Sequence, residues 1–307
     1  MENHSIVNEF VFTAFPKSFG LEILFFILFL ILYIIIILGN VIIIILTLWD
    51  THLQLPMYFF LGNISFLEMS ISTVVIPNLL VILLSYRKTI SFVGCFVQCY
   101  LYFALGTTDF ILLAVMSFDR YVAICNPLQY VVIMNWNTSF YLALASWMGG
   151  FLIVLTPAVI KAMLPYCKSN EINHFFCDSF NMMKLVCIDT TLLQLFDFFM
   201  YSLVIVGSLS ITIWSYTIIA ITIYRIPSVT GRHKAFSTCV SHLFLVSLGY
   251  GGTIFIYVIP KGIYYLKLNK FISLITIFVT PILSPFIFSL RNQAVQNAFM
   301  NIYFKVK

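Results

Sequence analysis

The sequence predicts an all-α fold: a seven-transmembrane helix bundle with a short amphipathic C-terminal helix. Three observations carry that expectation. The 307 residues are 62% apolar and 9% charged, with a mean hydropathy of +1.04, against about 45–50% apolar and about 25% charged in a soluble domain. Seven apolar stretches are each long enough to cross a bilayer, which takes about 20 residues. The stretches are continuous rather than alternating, which excludes a strand-built barrel, and backbone groups in lipid must then be satisfied inside helices. An ordinary soluble globule and a disordered tail are excluded as well. Sixteen Lys/Arg against eleven Asp/Glu leave +5, too few and too scattered for a nucleic-acid groove.

The stretches run about 23–48, 57–84, 95–118, 140–163, 195–224, 236–259 and 271–290, with the third helix carried on to 124. The first, Ile23 to Leu48, contains no charge. It is longer than a signal-peptide core and lacks a basic flank followed by a small-residue cleavage site, so it reads as a retained helix. The second and third carry one carboxylate each, Glu68 and Asp109. The longest connection, about 164–194, is too short to fold separately. Residues 1–307 are therefore expected to form a single seven-transmembrane domain.

Loop charge does not fix the orientation: an outer N-terminus puts seven Lys/Arg inside and nine outside, giving the positive-inside rule no purchase. The cysteines decide it better. Cys167, Cys177 and Cys187 stand ten residues apart in the longest loop, and Cys95 opens the third helix on the same face, a cluster that favours an oxidising compartment. The sequon Asn3-His4-Ser5 places the N-terminal tail outside too, as a candidate glycosylation site. Sequons at Asn63 and Asn137 fall in or beside helices and are expected to stay unmodified. Four cysteines allow three pairings. One of them, Cys95–Cys177 with Cys167–Cys187, would tie the loop to the third helix and fold it as a lid over the outer mouth. Cys99, Cys125 and Cys239 read as free, buried thiols.

Met116-Ser-Phe-Asp-Arg-Tyr-Val-Ala-Ile-Cys-Asn-Pro-Leu-Gln-Tyr130 closely resembles the MAYDRYVAICxPLxY signature of olfactory receptors, within the rhodopsin-like (class A) G-protein-coupled receptors. Four further segments match in order: Leu38-Gly39-Asn40, Pro56-Met-Tyr-Phe-Phe-Leu61, Lys234-Ala-Phe-Ser-Thr-Cys-Val-Ser-His-Leu243 and Pro281-Ile-Leu-Ser-Pro-Phe-Ile-Phe-Ser-Leu-Arg-Asn292. The long loop with three spaced cysteines also looks like this family. Two departures matter. The family's FYG reads Gly249-Tyr250-Gly251, losing an aromatic, and its PxLNPxIY carries Ser284 and Phe288, losing an amide and a hydroxyl. The second change implies altered basal activity or activation efficiency in a preserved fold.

The resemblance implies roles for the inner half. Arg120, within Asp119-Arg120-Tyr121, is held by Asp119 at rest and freed to meet the C-terminal helix of a heterotrimeric G protein. Tyr216 matches the tyrosine that swings in to support it, and Pro285 and Phe288 belong to the seventh-helix switch. Prolines at 281 and 285 favour kinks there. Deep in the bundle, an ionised Glu68 or Asp109 facing lipid would cost roughly 2.5–3.5 kcal/mol, so both face inward and share a proton or cation. By resemblance this is the family's sodium or proton site, with Asp and Glu exchanged between helices; the alternative is a protonated structural pair.

The binding cavity is expected in the outer half, between helices three, five and six. Tyr102, Phe103, Gly106, Thr107 and Phe110 share one face of the third helix. By family position, Met200, Tyr201 and Val204 on the fifth and Tyr250, Thr253, Ile254 and Tyr257 on the sixth stand opposite. The set is aromatic and aliphatic with a few hydroxyls, and its nearest acid is Asp197 at the rim, so an apolar or weakly polar volatile fits better than a cationic amine. About 10–15 heavy atoms at roughly 0.4 kcal/mol each bind with about −4 to −6 kcal/mol, or roughly millimolar to tens of micromolar.

The sequence thus points to a plasma-membrane odorant receptor with an extracellular N-terminus, sited in olfactory cilia. The resemblance implies that it activates a stimulatory (Golf/Gs-type) G protein and raises cAMP, and no cofactor is expected. Basic residues Arg225, Arg232 and Lys234 and the segment after Arg291 are candidates for partner and membrane-lipid contact. A receptor of the same class for a non-odorant lipid or metabolite is the nearer rival. A secondary transporter conflicts with the odd helix count and the lack of a repeat. An enzyme conflicts with five histidines in no metal-binding spacing and with the missing G-x-S-x-G.

Overall fold

The structure, a computed structural model, describes residues 7–15, 18–167, 169–257, 263–291 and 295–300. Its bundle consists of seven long helices: α1 (Phe19–Trp49), α2 (Pro56–Leu84), α3 (Phe92–Cys125), α5 (Trp136–Ala162), α7 (Thr191–Tyr224), α8 (Val229–Tyr257) and α9 (Ile263–Arg291). Short helices α4 (Tyr130–Ile133) and α6 (Ser179–Met183) lie in connections, and 295–300 is helical again. Six of the long helices hold an apolar window able to span a bilayer, and α8 contributes the shorter apolar stretch His242–Ile254. At 29 residues α8 is about 43 Å long, enough to cross the same thickness.

Several helices begin before the apolar pattern does, α7 at Thr191, α8 at Val229 and α9 at Ile263, against the expected 195, 236 and 271. Apolar patterning marks the hydrocarbon, whereas helices continue through the headgroup layer wherever their ends are satisfied. The Ser91 hydroxyl accepts from Gly94 N at 3.1 Å to cap α3. Asn135 does the same for α5 through Thr138 N at 2.9 Å.

The central helix is α3, packed on α2, α5, α7 and α8, while α1 and α9 close the bundle beside α2. Its contact with α5 is nearly backbone to backbone. A Cβ on Gly150 would stand 2.0 Å from Thr108 Oγ1 and 2.7 Å from Thr108 N, the small-residue packing that lipid-embedded helices rely on. Gly150→Ala should therefore lower thermal stability by about 1–3 kcal/mol. An unchanged Tm of the purified protein would show that this seam does not hold the bundle.

Two prolines in α9 each free a carbonyl one turn back, and neighbouring helices take up both. Pro281 leaves the Ile277 carbonyl open, and Ser72 of α2 donates to it at 3.4 Å. Pro285 leaves the Pro281 carbonyl open, and Asn40 of α1 donates to it at 3.1 Å. Gly39 permits the approach: a Cβ there would lie 3.0 Å from Pro285 Cγ. The Leu38-Gly39-Asn40 motif thus docks the kinked helix.

At the end of the bundle bearing the N-terminus lies a small sheet that the sequence reading did not foresee. Strand β1 (Glu9–Phe12) runs between β2 (Thr89–Ser91) and β3 (Glu171–Ile172). Phe10 faces Ile90 across the antiparallel pair, and Phe12 faces Ile172 across the parallel one. Phe10 and Phe12 are buried, and the Phe10 ring lies 5.7 Å from Phe92 and 5.9 Å from Tyr166. Two disulfides complete the cap: Cys95–Cys177, with Cα atoms 5.4 Å apart, and Cys167–Cys187, at 5.7 Å. Cys99 and Cys239 are buried free thiols, but Cys125 is only half-buried.

Candidate functional site

Under this cap the bundle opens into a cavity shared by five helices. From α3 it is lined by Tyr102, Phe103, Gly106, Thr107, Asp109 and Phe110, and from α7 by Tyr201, Val204 and Ile205. Gly249 and Thr253 of α8 face it, as do Thr276, Ile277, Thr280 and Pro281 of α9 and Glu68 and Ile71 of α2. Eight of the expected contact residues therefore line one space. Gly249 explains part of its width, since a Cβ there meets only Leu113 Cδ1, at 4.0 Å. The aromatic that FYG places at this position is replaced by room.

The lining departs from the sequence reading at several points. Met200 is outside the lining. Tyr250 is buried and, with Ile254, belongs to the apolar cluster that includes Phe60 and Ile64, its ring 5.0 Å from Phe110; neither is among the residues that line the cavity. The cavity is also not confined to three helices, because α2 and α9 supply two carboxylate-proximal walls and Glu68 itself. Glu68 and Asp109 belong to the same chamber, and the expected acid-free lining is wrong. Asp197, expected at the rim, instead pairs with Lys161 at 2.5 Å, and Lys161 Nζ donates to Ser179 Oγ at 2.8 Å. That buried cluster ties α5, α7 and the long loop together. Asn3 and the side chains of Tyr257 and Phe288 lie outside the described residues.

The long loop covers the chamber through Phe176, fully buried with its ring 4.9 Å from Tyr102. Gln98 holds it there, accepting from Cys177 N at 3.0 Å and donating to Val74 O at 3.0 Å. His174 packs edge-on against Phe176 at 4.6 Å. Burial lowers its pKa from 6.5, with Asp178 opposing and Lys270 reinforcing the shift. The imidazole is thus neutral when folded, while the unfolded chain takes up a proton below about pH 6.5. Stability is full above that pH and falls as pH drops below it. His174→Phe should flatten this acid limb of the Tm-against-pH curve; a variant curve parallel to wild type would remove His174 as its cause.

At the other end of α3, about 36 Å from Cys95 by helix rise, lies the second cluster. Arg120 Nε donates to Asp119 Oδ2 at 3.0 Å, and its Nη2 donates to the same oxygen. The Tyr130 hydroxyl from α4 donates to Asp119 Oδ1 at 2.9 Å, so both carboxylate oxygens are occupied. Burial and the Asp119 charge hold the Tyr130 phenol above its ordinary pKa, keeping it a donor. Tyr121 packs on Trp214 with ring centroids 4.9 Å apart. Tyr216 does not touch this lock: its hydroxyl lies 2.6 Å from His242 Nδ1 on α8. The sequence reading gave no role to Tyr130 or His242, although both stand in the motifs that carried the resemblance. Pro285 is buried in α9 against Gly39.

Comparison with known proteins agrees with this arrangement. The sequence model of the olfactory receptor family matches residues 29–306. Olfactory receptor 6T1 of Homo sapiens is 49% identical over 297 residues, covering 97% of this chain and 92% of its own length. Olfactory receptor 6J1 of Homo sapiens is 46% identical, covering 98% and 87%, and olfactory receptor 6E1 of Mus musculus is 46% identical, covering 97% and 96%. With such identity along nearly the whole length, the chain belongs to the olfactory receptor family of rhodopsin-like G-protein-coupled receptors, signalling proteins of the plasma membrane rather than enzymes.

Proposed function

We propose that the protein binds a small odorant with a mostly apolar body in the capped chamber and activates a stimulatory, Golf/Gs-type G protein, raising cAMP. Its N-terminus and disulfide cap then face the exterior at the ciliary surface, with Asn3 glycosylated, and the Asp119–Arg120–Tyr130 cluster faces the cytosol. The observation that carries this reading is the position of the chamber. It touches five helices at once, including α8, whose other end packs Cys239 and Leu243 in one cluster with Tyr121, the neighbour of Arg120. A ligand shifts an equilibrium only by its differential affinity for the two packings. A guest that wedges between Tyr102, Tyr201 and Thr253 favours one spacing of α3, α7 and α8. In the other packing Arg120 leaves Asp119, Tyr216 leaves His242 to support it, and Arg225, Arg232 and Lys234 meet the partner and anionic lipid.

A cAMP screen against a diverse odorant panel tests the activity. The site is tested by Gly106→Phe, because a Cβ at Gly106 has nothing within 4 Å and the new ring enters the chamber without disturbing the bundle. Surface expression should persist while the response disappears. A response of wild-type size would place the ligand elsewhere.

A further inference from the structure

We infer that the polar end of the ligand is a protonated amine, seated against Glu68 and Asp109 at the floor of the chamber. This rests on reading the chamber as the ligand site, and it names the chemical class that the site selects. Glu68 of α2 and Asp109 of α3 both line the cavity. Glu68 Oε2 and Asp109 Oδ1 are buried with no hydrogen-bond partner among the described residues. Among the described residues the lining contains no Lys, Arg or His. Two inward carboxyl groups with unmet acceptors in a low-dielectric site are costly unless they share a proton or a cation, and a cation with several N–H donors meets both at once.

The rest of the cavity separates an organic cation from a bare metal ion. The same space rises from Asp109 to Tyr102, seven residues or about 10 Å along α3, between aromatic and aliphatic side chains. Gly106, whose absent side chain leaves open space, keeps that passage clear. An inorganic cation satisfies the floor and leaves the apolar part empty. An ammonium on an apolar tail of that length satisfies both, with charge-assisted hydrogen bonds below and buried hydrocarbon above. An alcohol of equal length offers one neutral donor, and a carboxylate is repelled.

The test uses the purified receptor in detergent, with thermal unfolding read across titrations of heptylamine, heptanol and heptanoate, in potassium and in sodium buffer. In potassium, heptylamine should raise Tm at concentrations about ten- to a hundred-fold below heptanol, the range expected for bonds to charged groups, and heptanoate should have no effect. Sodium should move the heptylamine titration to higher concentration and leave that of heptanol in place. Glu68→Gln and Asp109→Asn should each erase the preference for the amine while keeping the heptanol response. Should either variant fail to fold, sodium competition on the wild type still decides. Equal titrations of amine and alcohol, insensitivity to sodium, or no stabilisation by amines from hexyl to nonyl would overturn the inference. Unfolding needs no G protein, so an amine that stabilises the receptor without raising cAMP would reject the coupling and leave this assignment standing.

Discussion

Arg120→Ala is expected to abolish odorant-evoked cAMP while leaving the receptor at the cell surface. Loss of Arg120 leaves the buried Asp119 without its charge partner, a cost in stability that the remaining contacts limit. The bonds of Arg120 go to Asp119, the residue before it, and Asp119 keeps a second partner in the Tyr130 hydroxyl at 2.9 Å. The helices around it stay packed through apolar contacts that include Tyr216, Ile219 and Ile223. What the substitution removes is the guanidinium that, on the proposed coupling role, would meet a partner's C-terminal carbonyls. Surface immunostaining with a cAMP reporter checks both halves of the expectation, and a variant that signals like wild type would refute the coupling role.

Cys177→Ser should act on delivery rather than on signalling as such. The Cys95–Cys177 bridge closes a sequence separation of 82 residues and fastens the middle of the long loop to the start of α3. Removing a native disulfide of this kind costs about 2–5 kcal/mol. Both cysteines are completely buried, so the serine hydroxyl and the Cys95 thiol are left in the dry cluster of Phe10, Phe12 and Met182. Loss of the bridge also releases the Cys177 N–H that Gln98 accepts. Surface labelling should fall to a small fraction of wild type. Normal labelling together with a normal response would show that the cap folds without the bridge.

Much of this architecture was legible in the chain because lipid makes hydrophobicity nearly sufficient evidence for a helix. The charge-free run from Ile23 to Leu48 lies inside α1, and the motif around Asp119-Arg120-Tyr121 ends α3. Side chains that bond to backbone across helices were not legible. Nothing in the local pattern says that Asn40 reaches the carbonyl freed by Pro285, because that pairing joins positions 241 residues apart. The strand Glu9–Phe12 is too short to stand out, and its register comes from two distant loops. At the chamber, helical spacing correctly gathered Tyr102, Phe103, Gly106, Thr107 and Phe110. The rotation of α8 was not derivable: Gly249 and Thr253 face the cavity, whereas Tyr250 and Ile254 pack into the neighbouring apolar cluster. Glu68 and Asp109 were legible as inward-facing carboxylates. That they line the same cavity depends on how α2 and α3 are set against each other, which no single helix encodes.

The account stands on an energetic link between the chamber under the disulfide cap and the Arg120 cluster at the opposite face, and such a link is reciprocal. The direct measurement is the affinity of one agonist from the odorant screen for the purified receptor, with and without nucleotide-free stimulatory G protein. Coupling predicts that the bound G protein tightens the odorant by about five- to 150-fold. Identical affinity in the two preparations would contradict the account.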